Sequence, residues 1–114
     1  VNIALAHLLP GGPASFDGVV SGINFGLNTT LGFISASGTI AAAWEGALHG
    51  LPAMACSQDL DYDEWHTLTA SQSLAGLPGT RATIEASAAH AARLAGELFP
   101  ATGRGTFVVH NLNF

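Results

Sequence analysis

A chain of 114 residues with a net charge of −5, three arginines and no lysine has no basic stripe to neutralise a phosphate backbone, which disfavours nucleic-acid polymers as partners. With 48% hydrophobic and only 10% charged residues, and a mean hydropathy of +0.37, it is too apolar to be disordered and long enough to bury one core. No apolar run reaches the roughly eighteen residues that a membrane-crossing helix needs, and a single cysteine excludes an internal disulfide. The same apolar excess predicts an exposed hydrophobic face that a partner or a further segment covers.

Residues 2 to 9 place Ile3, Leu5, Leu8 and Leu9 near helical spacing, and Pro10-Gly11-Gly12-Pro13 ends that segment. It lacks the basic flank and small-residue cleavage site of a signal peptide. Phe16 to Ser21 reads as a strand buried on both faces, which makes a parallel sheet the default. Gly22 to Ala36 is polar, glycine-containing and aperiodic, and reads as a loop of functional length. Ser37 or Thr39 then caps a helix over Ile40 to Leu48, with Ile40, Ala43, Trp44, Ala47 and Leu48 as its apolar stripe and Gly50 as its stop. Pro52 to Cys56 is a second strand, completing a βαβ unit whose crossover is expected to be right-handed.

Ser57 to Gly79 reads as an irregular region, acidic in its first half, with a short helix near Leu68 to Leu74; such a length marks a lid or an insertion. Thr83 to Phe99 is helical and stops at Pro100, and Gly105 to Phe114 is a last strand.

Chemistry concentrates where the first strand meets the second helix. Asn24 follows an apolar run, at the carboxyl end where ligands of open α/β sheets bind, and offers either a neutral oxygen ligand or a turn-forming amide. Ser37-Gly38-Thr39 supplies hydroxyls and free N–H groups at a helix start, a cradle for an anion or an ordinary N-cap. Amide carbonyl plus anion cradle points to a hard cation with a phosphate. Gly26 and Asn28 shape the same loop.

Elsewhere the signals are weaker. Asp59, Asp61 and Asp63 open like a calcium loop, but Glu64 and Ala70 stand where glycine and glutamate are required, so we read a solvated acidic loop. Trp65 and His66 fit either packing or contact with a base. The five histidines show no pairing at ligand spacing, Cys56 sits in an apolar strand, and no nucleophile elbow, dinucleotide fingerprint or P-loop is present.

Asp17-Gly18-Val19-Val20-Ser21-Gly22-Ile23-Asn24, Gly26-Leu27-Asn28, the Ser37 to Gly46 stretch with Glu45-Gly46, Gly50-Leu51-Pro52-Ala53-Met54-Ala55 and the terminal Phe107 to Phe114 together resemble, in order and spacing, the SurE family of metal-dependent nucleoside monophosphate phosphatases. The resemblance implies a three-layer α/β/α, Rossmann-like domain with a mostly parallel sheet, spanning residues 1–114 as the central part of a longer architecture incomplete at both ends. It implies Asn24 as a ligand of Mg²⁺ or Mn²⁺, and Ser37, Gly38, Thr39 and Asn28 as binders of phosphate or substrate. A nucleoside monophosphate or other phosphomonoester as substrate, homo-oligomerisation and a cytoplasmic location follow from it too.

The family's Asn-Asp-Asp-Gly metal turn has no counterpart in this sequence, which predicts that the chain by itself is inactive, or is a non-catalytic anion-binding or assembly module. One extra residue lies between Asn24 and the Ser-Gly-Thr relative to the commonest family pattern, and Leu31-Gly32 stands where many members carry acidic residues.

Overall fold

The structure, a computed structural model, describes all residues from Val1 to Phe114. Three strands, β1 (Val19–Phe25), β2 (Ala53–Gln58) and β3 (Val109–Asn113), form one parallel sheet in the order β1-β2-β3. α1 (Leu31–Ala36) and α2 (Gly38–Leu48) link the first two strands, and α3 (Tyr62–Ser71) and α4 (Pro78–Thr102) link the second and third. Two short helical turns, Ala4–Leu8 and Gly12–Ser15, precede the sheet.

The central strand organises the core. Every residue of β2 is buried, and its side chains alternate between faces. Ala53 and Ala55 receive Ile40, Ala43 and Ala47 of α2, whereas Met54 and Cys56 receive Ala91, Leu94, Leu98 and Phe99 of α4. The outcome is the three-layer α/β/α arrangement that the sequence predicts. Because the chain steps across the sheet in one direction while its two long helices lie on opposite faces, the two crossovers have opposite hands. Only one of them follows the right-handed preference.

Small residues set the layer spacing on the α2 side. A Cβ on Gly46 would come within 2.6 Å of Val19 Cγ2, so the Glu45-Gly46 pair marks where helix and strand approach most closely. The apolar stripe of α2 is narrower than predicted: Leu48 is 69% exposed, while Ile40, Ala43, Gly46 and Ala47 carry the contact. Gly50, at a φ of 75°, ends the helix as expected.

Five expectations need correction. β1 starts at Val19, since Phe16 closes the preceding turn by bonding to Pro13. It is an edge strand in this sheet with Val20 54% exposed, so its apolar run does not mean burial on both faces. The stretch from Gly22 to Ala36 is no continuous loop: β1 runs on to Phe25, and Thr30 Oγ1 caps α1 by accepting from Phe33 N at 3.4 Å.

Residues 62 to 71 are helical, started by a reciprocal capping box in which Asp61 accepts from Glu64 N at 2.8 Å and Glu64 accepts from Asp61 N at 3.1 Å. Finally, α4 begins at Pro78, a favoured first position, and passes through Pro100 to Thr102. Pro100 is tolerated because it stands in the last turn, where only one helical bond is forfeited.

Cys56 lies fully buried in β2, and desolvation raises its thiol pKa above the ordinary 9.0. A folded pKa above the unfolded one means the neutral thiol is the favoured native form. Its stabilising contribution is complete below about pH 9 and is lost as pH rises through the folded value. We expect alkylation of Cys56 by iodoacetamide at pH 8 to track global unfolding, with rapid labelling of the native chain as the contrary result. No helix of the chain is long and apolar enough to cross a membrane.

Candidate functional site

The carboxyl ends of the strands and the amino end of α2 bound a groove of about 600 Å³, lined among others by Asn24, Phe25, Asn28, Ser37, Gly38 and Asp59. A bulge in β1 builds its first wall. Ser21 pairs with Ala55 and Asn24 with Ser57, so β1 spends one more residue than β2 over that interval. Gly22 stands in the bulge at a φ of 126°, where an added Cβ would collide with the Cys56 carbonyl oxygen, and the Gly22–Ile23 peptide is cis. The bulge turns Asn24 out of the regular alternation toward the groove.

The Asn24 amide has both of the characters the sequence allows. Its Nδ2 donates to the Gly26 carbonyl at 2.7 Å, which makes the turn, and this bond fixes the amide with its oxygen free of any bond from the chain. Asn28 is buried and serves as a pin. Its Nδ2 donates to Ser57 Oγ at 2.8 Å, its backbone N–H donates to Asn113 Oδ1 at 2.8 Å, and its carbonyl accepts from Asn111 Nδ2 at 2.7 Å. The loop after β1 is thereby tied to the ends of β2 and β3.

The opposite wall is the start of α2. Ser37 is its N-cap, accepting from Ile40 N at 3.3 Å through Oγ, while the Ser37 carbonyl takes the Ala41 N–H at 2.9 Å. Helix starts leave their first N–H groups without helical acceptors, and the dipole makes this end positive. Gly38 opens directly on the groove, with nothing within 4 Å of where a Cβ would stand.

Of the predicted site residues, Asn24, Asn28, Ser37 and Gly38 are therefore brought to one hollow, and half-buried Thr39 lies one step beyond its lining. Sequence reasoning reads Asp59 as part of a solvated acidic loop, and it is exposed there, one residue past the end of β2; what that reading missed is that this position also lines the groove. It also missed Asn111 and Asn113 as anchors; their period-two spacing, which puts both amides on one face of a strand, was the available signal.

The donor set falls short of a divalent centre. No three His, Cys, Asp or Glu side chains of the chain come together. The groove offers the Asn24 amide oxygen and the Asp59 carboxylate, whereas Mg²⁺ sites combine carboxylates with octahedral oxygen ligation. These residues do not hold such an ion by themselves. A second cavity of about 450 Å³, lined by Asp17, Phe99 and Arg104 among others, lies on the side from which the strands start. There Arg104 donates to the carbonyls of Pro13 and Phe16.

A three-stranded parallel sheet with helices on both faces, and a groove at the carboxyl ends of its strands, makes this a Rossmann-like α/β protein. Comparison with known proteins gives the class more precisely. The sequence model of the family described as survival protein SurE matches residues 1–114. Proteins named 5'-nucleotidase SurE from Brucella canis and Brucella abortus are each 37% identical to the chain over 116 aligned residues, covering 100% of the chain and 38% of each relative. The one of that name from Hyperthermus butylicus is 54% identical over 61 residues, covering 54% of the chain and 20% of the relative. The chain belongs to the SurE family. It spans little more than a third of the length of the Brucella relatives.

Proposed function

We infer that this chain forms the phosphate-holding side of a nucleoside monophosphate phosphatase site. The observation that carries the reading is the shared groove: the Asn24 amide oxygen and the start of an eleven-residue helix meet across one hollow. A dianionic phosphate is favoured there by the N–H groups of Gly38 and Thr39, the Ser37 hydroxyl and the dipole of α2. Preorganised donors of this kind also stabilise charge that grows on phosphoryl oxygens during transfer. The relatives' name, 5'-nucleotidase SurE, supports a nucleoside monophosphate as the ester.

In this reading Asn24 contributes one neutral ligand to a bound Mg²⁺ or Mn²⁺, and the carboxylates that such an ion demands come from outside these 114 residues. Asn28 acts by holding the loop in place. The chain alone is a binding module, as the shortage of carboxylates favours. Homo-oligomerisation and a cytoplasmic setting belong to the same reading, the former supported by the exposed Val20, Leu31, Phe33 and Phe107.

Calorimetric titration with AMP, alongside a phosphate-release assay, tests it. We expect AMP to bind without release of phosphate, with or without added Mg²⁺. Absence of AMP binding overturns the cradle, and hydrolysis abolished by EDTA overturns the need for carboxylates from elsewhere.

A further inference from the structure

Next to the groove lies a smaller cleft of about 290 Å³ between the end of β1 and α3, lined by Phe25, Trp65, Leu68, Thr69 and Gln72. Phe25 lines both hollows, so the cleft adjoins the groove. It contains no charged residue and is walled by two aromatic rings. Neither ring belongs to the chain's two ring pairs, Tyr62 with His66 and His90 with Phe114. Trp65 is 43% exposed although it stands on a helix fixed at its start by the Asp61–Glu64 capping box and by the hydrogen bond from Thr80 Oγ1 to Glu64.

The geometry points to this cleft as the subsite for the base of the bound nucleotide, with Phe25 and Trp65 as stacking partners; the inference rests on the phosphate reading of the adjoining groove. A neutral aromatic cleft does not suit a second phosphate, whereas it offers a planar heterocycle π-faces and an apolar floor at Leu68. The polar rim is supplied by Gln72, whose Nε2 donates to the Thr69 carbonyl at 2.9 Å and leaves its amide oxygen as an acceptor for an exocyclic amine. Thr69 itself spends its hydroxyl on the Trp65 and His66 carbonyls, which holds the stacking residue's turn of helix in place. Position in the fold agrees, because α3 follows β2 directly at the edge where ligands of open α/β sheets bind. Trp65 is thus a specificity-determining residue and α3 a fixed wall of the substrate site.

The test compares AMP with ribose 5-phosphate, which carries the same phosphate and sugar without the base. The unmodified chain is expected to bind AMP about tenfold more tightly, a typical stacking contribution. Trp65→Ala is expected to remove most of the AMP advantage while leaving ribose 5-phosphate unchanged, and Trp65→Phe is expected to keep most of it. An unchanged circular dichroism spectrum for each variant confirms folding, as truncation of a partly exposed side chain leads us to expect. Equal affinities in the unmodified chain, or an AMP advantage undiminished by Trp65→Ala, overturn the base subsite and leave the cradle standing. If neither compound binds, the phosphate reading fails and the subsite falls with it.

Discussion

Replacing Gly22 by alanine is expected to cost about 3 kcal/mol or more of folding stability, a combination of backbone strain and overpacking. At a φ of 126° this residue occupies a region that side-chain-bearing residues rarely enter. A Cβ would also meet the Cys56 carbonyl oxygen, which belongs to the backbone of the fully buried central strand and has nowhere to go. Against a typical margin of about 5–15 kcal/mol, such a loss is a large share of the total. Urea denaturation checks it: the midpoint should fall sharply with the slope unchanged. A change below about 0.5 kcal/mol, the range of neutral surface substitutions, would contradict the bulge geometry that aims Asn24.

Gly38→Asp is expected to separate stability from binding. Aspartate in the first turn of α2 complements the helix dipole and should leave stability equal or raised by about 0.3–1 kcal/mol. Space is no obstacle, since nothing stands within 4 Å of the Cβ position. The new carboxylate projects where the dianion would sit, and AMP affinity should fall at least about tenfold, the equivalent of about 1.4 kcal/mol. Ser37 is a poorer probe, because its hydroxyl also caps the helix and its loss costs about 1 kcal/mol through the cap alone. A Gly38→Asp chain that binds AMP as tightly as the unmodified one would show that the anion lies elsewhere.

The layers were legible from local patterns wherever burial was symmetric. Pro52 to Cys56 reads as a strand, and Ala53–Gln58 is one, buried throughout; within the predicted stripe of α2, Ile40, Ala43 and Ala47 mark the face that packs, while Trp44 and Leu48 stay exposed. Phe16 to Ser21 misleads because apolarity does not distinguish a central strand from an edge strand; that depends on neighbours supplied by the rest of the fold. The bulge at Gly22 breaks the period-two alternation, so the remainder of β1 reads as loop. Asp61-Tyr62-Asp63-Glu64 carries a legible capping box, but the three alternating aspartates direct attention to cation chemistry instead of helix initiation.

The site was half legible. Asn24 and the Ser37-Gly38 helix start follow from residue type and position, and the structure brings them to one groove. The bonds that shape the groove join Asn28 to Ser57, Asn111 and Asn113, up to 85 residues away along the chain. No local pattern encodes such pairings, because they depend on the register of β2 against β3.

In our reading the amino end of α2 and the Asn24 amide form one phosphate-binding hollow. Nuclear magnetic resonance titration of the ¹⁵N-labelled chain with AMP addresses it directly. The backbone amides of Gly38 and Thr39 and the side-chain amide of Asn24 are expected to shift most and to saturate together at one affinity. Shifts confined to the far side of the sheet around Phe99 and Arg104, or no saturable shift at Gly38, would contradict it.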